Sequence, residues 1–198
     1  MPDIPLADLA SPAVLARARK IKLFLMDVDG TLTDGGVCLI SSTVADGSGA
    51  PSVSEMKIFN AKDGQGLSLA NTMGIQTGFI TGRRSPAVAK RAEELKVTFV
   101  YLGQAQKTQA FEECVEKAGV TAEEVAYMGD DLPDIPLAQR AGLAISVADG
   151  SDELKAGRRK SSLCGSVLHS ALRLSRQSAI CMAGRAVTLR QVREVPPQ

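Results

Sequence analysis

The sequence predicts an α/β fold, a doubly wound and mostly parallel sheet with helices on both faces. Three observations predict it. Short apolar runs recur along the chain, and several end in Asp, Thr-Gly or Gly-Asp before a helical stretch. The first run, Ile21–Met26, is apolar almost throughout, as a strand covered on both faces requires. Strand and helix signals alternate along the chain, which is the pattern of parallel crossovers. The 198 residues suffice for one domain with a real core, and 44% hydrophobic against 23% charged residues excludes a disordered chain.

Taken in order, Ser11 as N-cap and Pro12 at the first helical position open a short helix over 11–19. The strand Ile21–Met26 follows and ends at Asp27. Residues 32–60 break the rhythm with Gly35, Gly36, Gly47, Gly49 and Pro51. Their β-type ends, Val37–Ile40 and Met56–Phe59, predict a β-hairpin flap with a tip near 43–53, arching over the end of the first strand. Gly74–Ile80 is the second strand of the sheet, leading through Thr81-Gly82 to a helix near 85–95. Val97–Tyr101 is the third, before a helix at 107–118. Val125–Met128 is the fourth, ending at Gly129-Asp130-Asp131 before a helix to about Ala141, and Leu143–Val147 is the fifth.

The chain divides into a core over 1–156, including the hairpin at 32–60, and a basic tail over 157–198. Residues 151–198 carry nine Lys/Arg against three Asp/Glu, whereas the first 150 residues are net acidic. In the tail, Leu163, Val167, Ala171 and Leu174 fall near helical spacing and suit an extra helix packed on the body. A basic amphipathic helix on a membrane or polyanion is the alternative.

Composition narrows the function classes. A net charge of +1, 4% aromatics and no Trp give no nucleic-acid signature. Cys38, Cys114, Cys164 and Cys181 form no CxxC pair, so neither a zinc site nor a disulfide framework is expected and a reducing cytoplasm is the simplest compartment. No run has the character of a secretory signal or the length of a membrane span.

Ligands of an open parallel sheet collect at the C-terminal strand ends. There the sequence places Asp27-Val28-Asp29-Gly30-Thr31, Thr81-Gly82-Arg83, Lys107 and Asp130-Asp131. Carboxylates that converge on one rim need a cation to stay ionised, and an oxygen-only donor set favours Mg2+. The hydroxyl, the lysine and the backbone N–H groups at helix starts are then donors for an anion, which fits in-line attack on phosphorus. Asp27 would attack. Asp29, swung round beside it, would protonate the leaving alkoxide and later deprotonate water, help worth roughly 10²–10⁴-fold.

DVDGT at 27–31, ITGR at 80–83, Lys107 and GDDLPD at 129–134 resemble, in order, the four motifs of the haloacid-dehalogenase phosphatase superfamily. Phe59–Gly66 after a hairpin and the GQxxK run at 103–107 narrow the resemblance to phosphatases of 3-deoxy-D-manno-octulosonate 8-phosphate, over roughly residues 10–150. Phosphatases of nonulosonate 9-phosphates look similar. The resemblance implies a Rossmann-like core with no large cap domain and a phosphoric monoester hydrolase of lipopolysaccharide precursor synthesis in the cytoplasm. It also implies an aspartyl-phosphate intermediate and hairpins that assemble a homotetramer. Asp27 would be nucleophile and Mg2+ ligand, Asp29 the general acid/base with its carbonyl on the metal, and Asp130 the remaining protein ligand. Thr81, Gly82 and Lys107 would hold the phosphoryl group, and Asn60, Lys62, Asp63, Gly64, Arg83 and Arg91 would line the sugar-acid site.

Asp131 and Asp134 either cap the following helix or orient Lys107 and the metal shell, or else act directly. Lys62 stands where the octulosonate enzymes usually show Arg, a point charge in place of a bidentate fork. Ser68 stands where a basic residue is common. The tail lacks the Gly-Gly-Arg-Gly turn of the family, which Ala183–Val187 echoes only faintly. A receiver-like phospho-accepting module is the rival from another class, since it also combines acids, a hydroxyl and a lysine on such a sheet.

Overall fold

The computed structural model describes residues 12–43, 51–157 and 163–165. At its centre β1 (Leu23–Met26) is buried at every position. It pairs in parallel with β4 (Gln76–Thr81) on one side and β6 (Val125–Gly129) on the other. The sheet continues outward to β5 (Phe99–Leu102) beyond β4, and to β7 (Leu143–Val147) and β8 (Leu163–Gly165) beyond β6. Every pairing in this sheet is parallel. The chain thus builds β1, β4 and β5 to one side, then crosses back to build β6, β7 and β8. The order reverses between β1 and β6, and a crevice is expected at their carboxyl ends.

Alternation along β1 supplies two cores. Phe24 and Met26 face one cluster with Val14 of α1 (Pro12–Ala18), Leu67 of α2 (Ala61–Thr72) and Val88 of α3 (Pro86–Glu94). Leu23 and Leu25 face the other with Phe111 of α4 (Lys107–Ala118), Leu137 of α5 (Ile135–Arg140) and Leu154 of α6 (Asp152–Gly157). Local chemistry sets the helix ends. The Asn60 side chain accepts from the Lys62 N–H at 2.9 Å to start α2, and Ser85 caps α3 just before Pro86. Gly119 closes α4 in the left-handed region, φ 65°.

Two elements differ from the sequence reading. In the hairpin, β2 (Cys38–Thr43) pairs antiparallel with β3 (Pro51–Met56), from Cys38↔Met56 to Thr43↔Pro51. The ladder therefore runs through Ser41, Ser42 and Ser52, where no apolar alternation signals a strand, and stops at Met56 rather than Phe59. The second difference is β8. Leu163–Gly165 pairs with Ile145–Val147 as a sixth strand, where apolar spacing suggested helix. An open edge of β7 offers a row of main-chain partners that outweighs four loosely spaced apolar residues. Val167, Ala171 and Leu174 lie outside the described residues, as do Ser11 and residues 44–50 of the tip expected at 43–53, whose two ends are strand.

Candidate active site

The crevice at the end of β1 gathers the acidic residues. Asp27 leaves β1 directly, and its N–H still bonds the Met128 carbonyl at 2.9 Å, so its carboxylate is fixed against the end of β6. The turn that follows folds back on the Val28 carbonyl, which accepts from the N–H groups of Thr31, Leu32 and Thr33. Gly30 makes that turn possible. Its φ is +91°, and a Cβ there would collide with the Asp130 carboxylate. Thr31 Oγ1 then donates to Asp130 Oδ1 at 3.0 Å.

Asp27, Asp130 and Asp134 each present a carboxylate oxygen within 4.8 Å of the others. Burial pushes Asp27 up to about 7 despite the adjacent Lys107, and pushes Asp130 up to about 6 despite the Thr31 hydroxyl. Lys107, at the first position of α4, is buried and donates to Asp27 Oδ1 at 2.7 Å and Asp134 Oδ1 at 2.8 Å. Burial alone would push its ammonium down, but the two carboxylates hold it above the usual lysine value.

Asp134 plays a different part from its neighbours. Its Oδ1 accepts from Lys107 and from the Tyr127 hydroxyl at 2.7 Å, and its Oδ2 from the N–H groups of Asp130 at 3.0 Å and Asp131 at 3.3 Å. Both oxygens are already engaged twice. Asp134 therefore orients Lys107 and the β6 loop, and its bond from the Asp131 N–H also completes a capping box at 131–134. Asp131 is exposed. The oxygens left for a hard cation are those of Asp27 and Asp130. A buried and a half-buried carboxylate, both driven toward protonation with one lysine to offset them, fit a divalent oxygen-seeking ion.

Asp29 lies outside that cluster. Its Oδ2 accepts from Thr81 Oγ1 at 3.3 Å, and its Oδ1 accepts from the Lys57 ammonium. Thr81 ends β4, with its hydroxyl also accepting from the Arg83 N–H at 3.3 Å. The structure thus brings Asp27, Asp29, Thr81, Lys107 and Asp130 to one rim. Gly82 adjoins them, where a Cβ would meet the Gln104 carbonyl at an ordinary contact distance of 3.8 Å.

The outer residues form two groups. Arg83 turns to the hairpin and donates to Glu55 at 2.7 Å. Arg91 lies across Gly64, with its guanidinium 5.9 Å from the Phe59 ring centre. It faces Asp63, which burial pushes up to about 6 while Arg91 pulls it back. Asn60 and Asp63 line a cleft of about 350 Å3 with Thr33, Ile58 and Phe59. Lys62 is exposed at the start of α2.

Sequence reasoning missed Lys57, Glu55 and Tyr127. The signal for the first two was period-two spacing: Glu55, Lys57 and Phe59 recur at every second residue across the end of the hairpin. Tyr127 reads as an ordinary core residue, and only its hydroxyl bond to Asp134 marks it.

Comparison with known proteins agrees with this geometry. A model of haloacid dehalogenase-like hydrolases matches residues 62–142. The chain is 40% identical over 139 residues to the 3-deoxy-D-manno-octulosonate 8-phosphate phosphatase KdsC of Escherichia coli K12, covering 70% of this chain and 69% of that protein. A crystal structure of the Moraxella catarrhalis phosphatase of the same name, in complex with magnesium, phosphate and KDO, superposes with a TM-score of 0.76. The two are 30% identical, over 92% of this chain and 99% of that one. The cobalt-bound Haemophilus influenzae phosphatase YrbI superposes with a TM-score of 0.71 at 28% identity, over 89% and 98% of the two chains. Among the described residues no helix is long and apolar enough to cross a membrane. The chain belongs to the haloacid dehalogenase-like hydrolases, within which it is similar to the octulosonate 8-phosphate phosphatases.

Proposed function

We propose that this protein is a Mg2+-dependent phosphatase of a phosphorylated 3-deoxy sugar acid, 3-deoxy-D-manno-octulosonate 8-phosphate, and that it works through an aspartyl-phosphate on Asp27. The observation that carries the reading is the placement of Asp27. It is buried at the switch point, one oxygen is held by Lys107, and Asp130 stands within 4.8 Å.

Asp27, Asp130 and the main-chain carbonyl of Asp29 would hold the ion. When bound, it offsets the carboxylate and phosphoryl charges that burial otherwise disfavours. Lys107 fixes Asp27 Oδ1, leaving Oδ2 to attack phosphorus in line. An ammonium has three protons, and two of those on Lys107 are spent on Asp27 and Asp134. The third is available to a phosphoryl oxygen, alongside the Thr81 hydroxyl and the Gly82 N–H. Asp29 gives its proton to the departing alkoxide and then takes one from the water that cleaves the aspartyl-phosphate. Asn60, Lys62, Asp63, Gly64, Arg83 and Arg91 would meet the sugar acid, whose carboxylate suits the cationic members of that set.

The hairpin supports a homotetramer. Val37, Leu39, Ile40, Val53, Met56 and Ile58 all expose large apolar side chains on or beside it. A patch of this kind on a two-stranded ribbon calls for a partner, and a second copy is the one the resemblance supplies. The core at 1–156, the tail at 157–198 that lends β8 to its sheet, the cytoplasmic location and the place in lipopolysaccharide precursor synthesis are parts of the same reading.

The test is phosphate release from a panel of phosphorylated sugars with Mg2+. The expected outcome is fastest turnover of the octulosonate 8-phosphate and loss of turnover in excess chelator, restored by Mg2+. Faster turnover of a nonulosonate 9-phosphate would reassign the substrate within the same chemistry.

A further inference from the structure

The hairpin carries a charged pair that the proposed reaction leaves unused. Glu55, near the end of β3, and Lys57, just beyond it, are two residues apart, and both turn toward the rim of the sheet. The Lys57 side chain is 1% exposed. An ammonium removed from water to this degree must have its charge matched. Here the match comes from two different elements. Lys57 Nζ binds Asp29 Oδ1 in the turn after β1, and lies 3.5 Å from Glu55 Oε1 on the preceding strand.

Glu55 is anchored in turn. It accepts from Arg83 Nη2 at 2.7 Å and from the hydroxyl of Ser85, the cap of α3. A continuous chain of charge-assisted contacts therefore runs from the β4–α3 loop through Glu55 and Lys57 to Asp29. At Asp29 it meets Thr81, which holds the other carboxylate oxygen. One side of Asp29 is fixed by the sheet and the other by the hairpin.

We propose that Lys57 is a positioning residue for Asp29, borne by the hairpin and steadied by Glu55. It holds the Asp29 carboxyl beside Thr81 and outside the Asp27–Asp130–Asp134 cluster, where a leaving alkoxide can reach it. This inference rests on the reading of Asp29 as the acid/base. As Asp27 forms its bond to phosphorus and the bond to the alkoxide breaks, the proton passes from Asp29 to that alkoxide. The adjacent ammonium offsets the charge left on Asp29. Without Lys57 the carboxyl keeps only its Thr81 contact and is free to rotate toward the acidic cluster. The hairpin is thereby tied to proton delivery as well as to the outer surface of the site.

Leaving groups separate this role from a structural one. An acidic phenol departs without a proton, whereas a sugar alkoxide does not. The experiment compares kcat/KM for the octulosonate 8-phosphate and for p-nitrophenyl phosphate, in the full chain with Mg2+, for wild type, Lys57→Met, Lys57→Arg, Glu55→Gln and Asp29→Asn. Lys57→Met is expected to lose about 10–10²-fold on the sugar phosphate and less than about threefold on the aryl ester, a part of the full acid/base contribution. Lys57→Arg should recover most of the loss, and Glu55→Gln should show a smaller loss with the same selectivity. If Lys57→Met does not fold, Glu55→Gln decides alone. Equal losses on both esters, or none, in whichever variant decides, overturn the proposal. Selectivity in Asp29→Asn but not in that variant removes Lys57 only. Absence of selectivity in Asp29→Asn removes the acid/base reading and this inference with it.

Discussion

The rim of the sheet and the hairpin above it are built on opposite principles. At the rim, Asp27, Lys107, Asp134 and Tyr127 are buried and tied together by hydrogen bonds, and Asp134 alone takes four. The hairpin is a two-stranded ribbon with apolar side chains in water, joined to the rim through Lys57, Glu55 and Arg83. The difference teaches a division of labour. Groups that must be held still for phosphoryl transfer are fixed by the core, while the outlying ribbon supplies surface and reaches inward with a few charges. Preorganisation is strongest where packing already restricts the side chains.

The sharpest way to break the contrast is to unpick the rim network. Asp134→Ala would strip Lys107 and Tyr127 of a shared acceptor and leave two loop N–H groups without one. We expect a loss of about 3–5 kcal/mol in urea unfolding, as for removal of one partner from a buried ion pair, together with a large fall in turnover. A loss under about 1 kcal/mol would show that the network is not what secures the rim.

A smaller effect is expected at Asp63, between the two regions. Its folded-state pKa is raised from 3.8 to about 6, chiefly by burial, so the fold favours its protonated form. The charged form thus costs stability above pH 6, and that cost fades as the pH falls through 6 toward 3.8. Asp63→Asn should accordingly be more stable than wild type by about 2 kcal/mol at pH 7.5, and the gain should vanish by about pH 4. Thermal unfolding across that range checks it, and a gain that grows on acidification would reverse the sign of the argument.

The smallest effect on the fold belongs to the ribbon. Leu39→Ser with Val53→Ser should change protomer stability by no more than about 0.5 kcal/mol, because both side chains are already in water. The same pair should lower the mass seen in sedimentation if hairpins join copies of the chain. An unchanged mass would detach assembly from this face.

The rim was largely legible in the sequence because parallel strands announce themselves as short apolar runs, and the residues at their ends are few. Asp27, Asp29, Thr81 and Asp130 could be placed at the strand ends in this way, and Lys107 at a helix start. Asp134 was legible as a capping or orienting group but its Tyr127 bond was not, since that partner sits in a strand that reads as plain core. The hairpin register was hidden because Ser and Thr carry much of the ladder. Lys57 was hidden for a related reason: a lysine in a ribbon reads as a solvated charge until the fold turns it inward. β8 had no local signal, since its pairing depends on the edge that β7 presents.

The central claim is that Asp27 carries the phosphoryl group. Quenching the enzyme during turnover with borohydride reduces an aspartyl-phosphate to homoserine, and peptide mass spectrometry locates the converted residue. Homoserine is expected at position 27 during turnover with substrate and Mg2+, and none without substrate. Conversion at another aspartate, or undiminished phosphate release by Asp27→Asn, would contradict it.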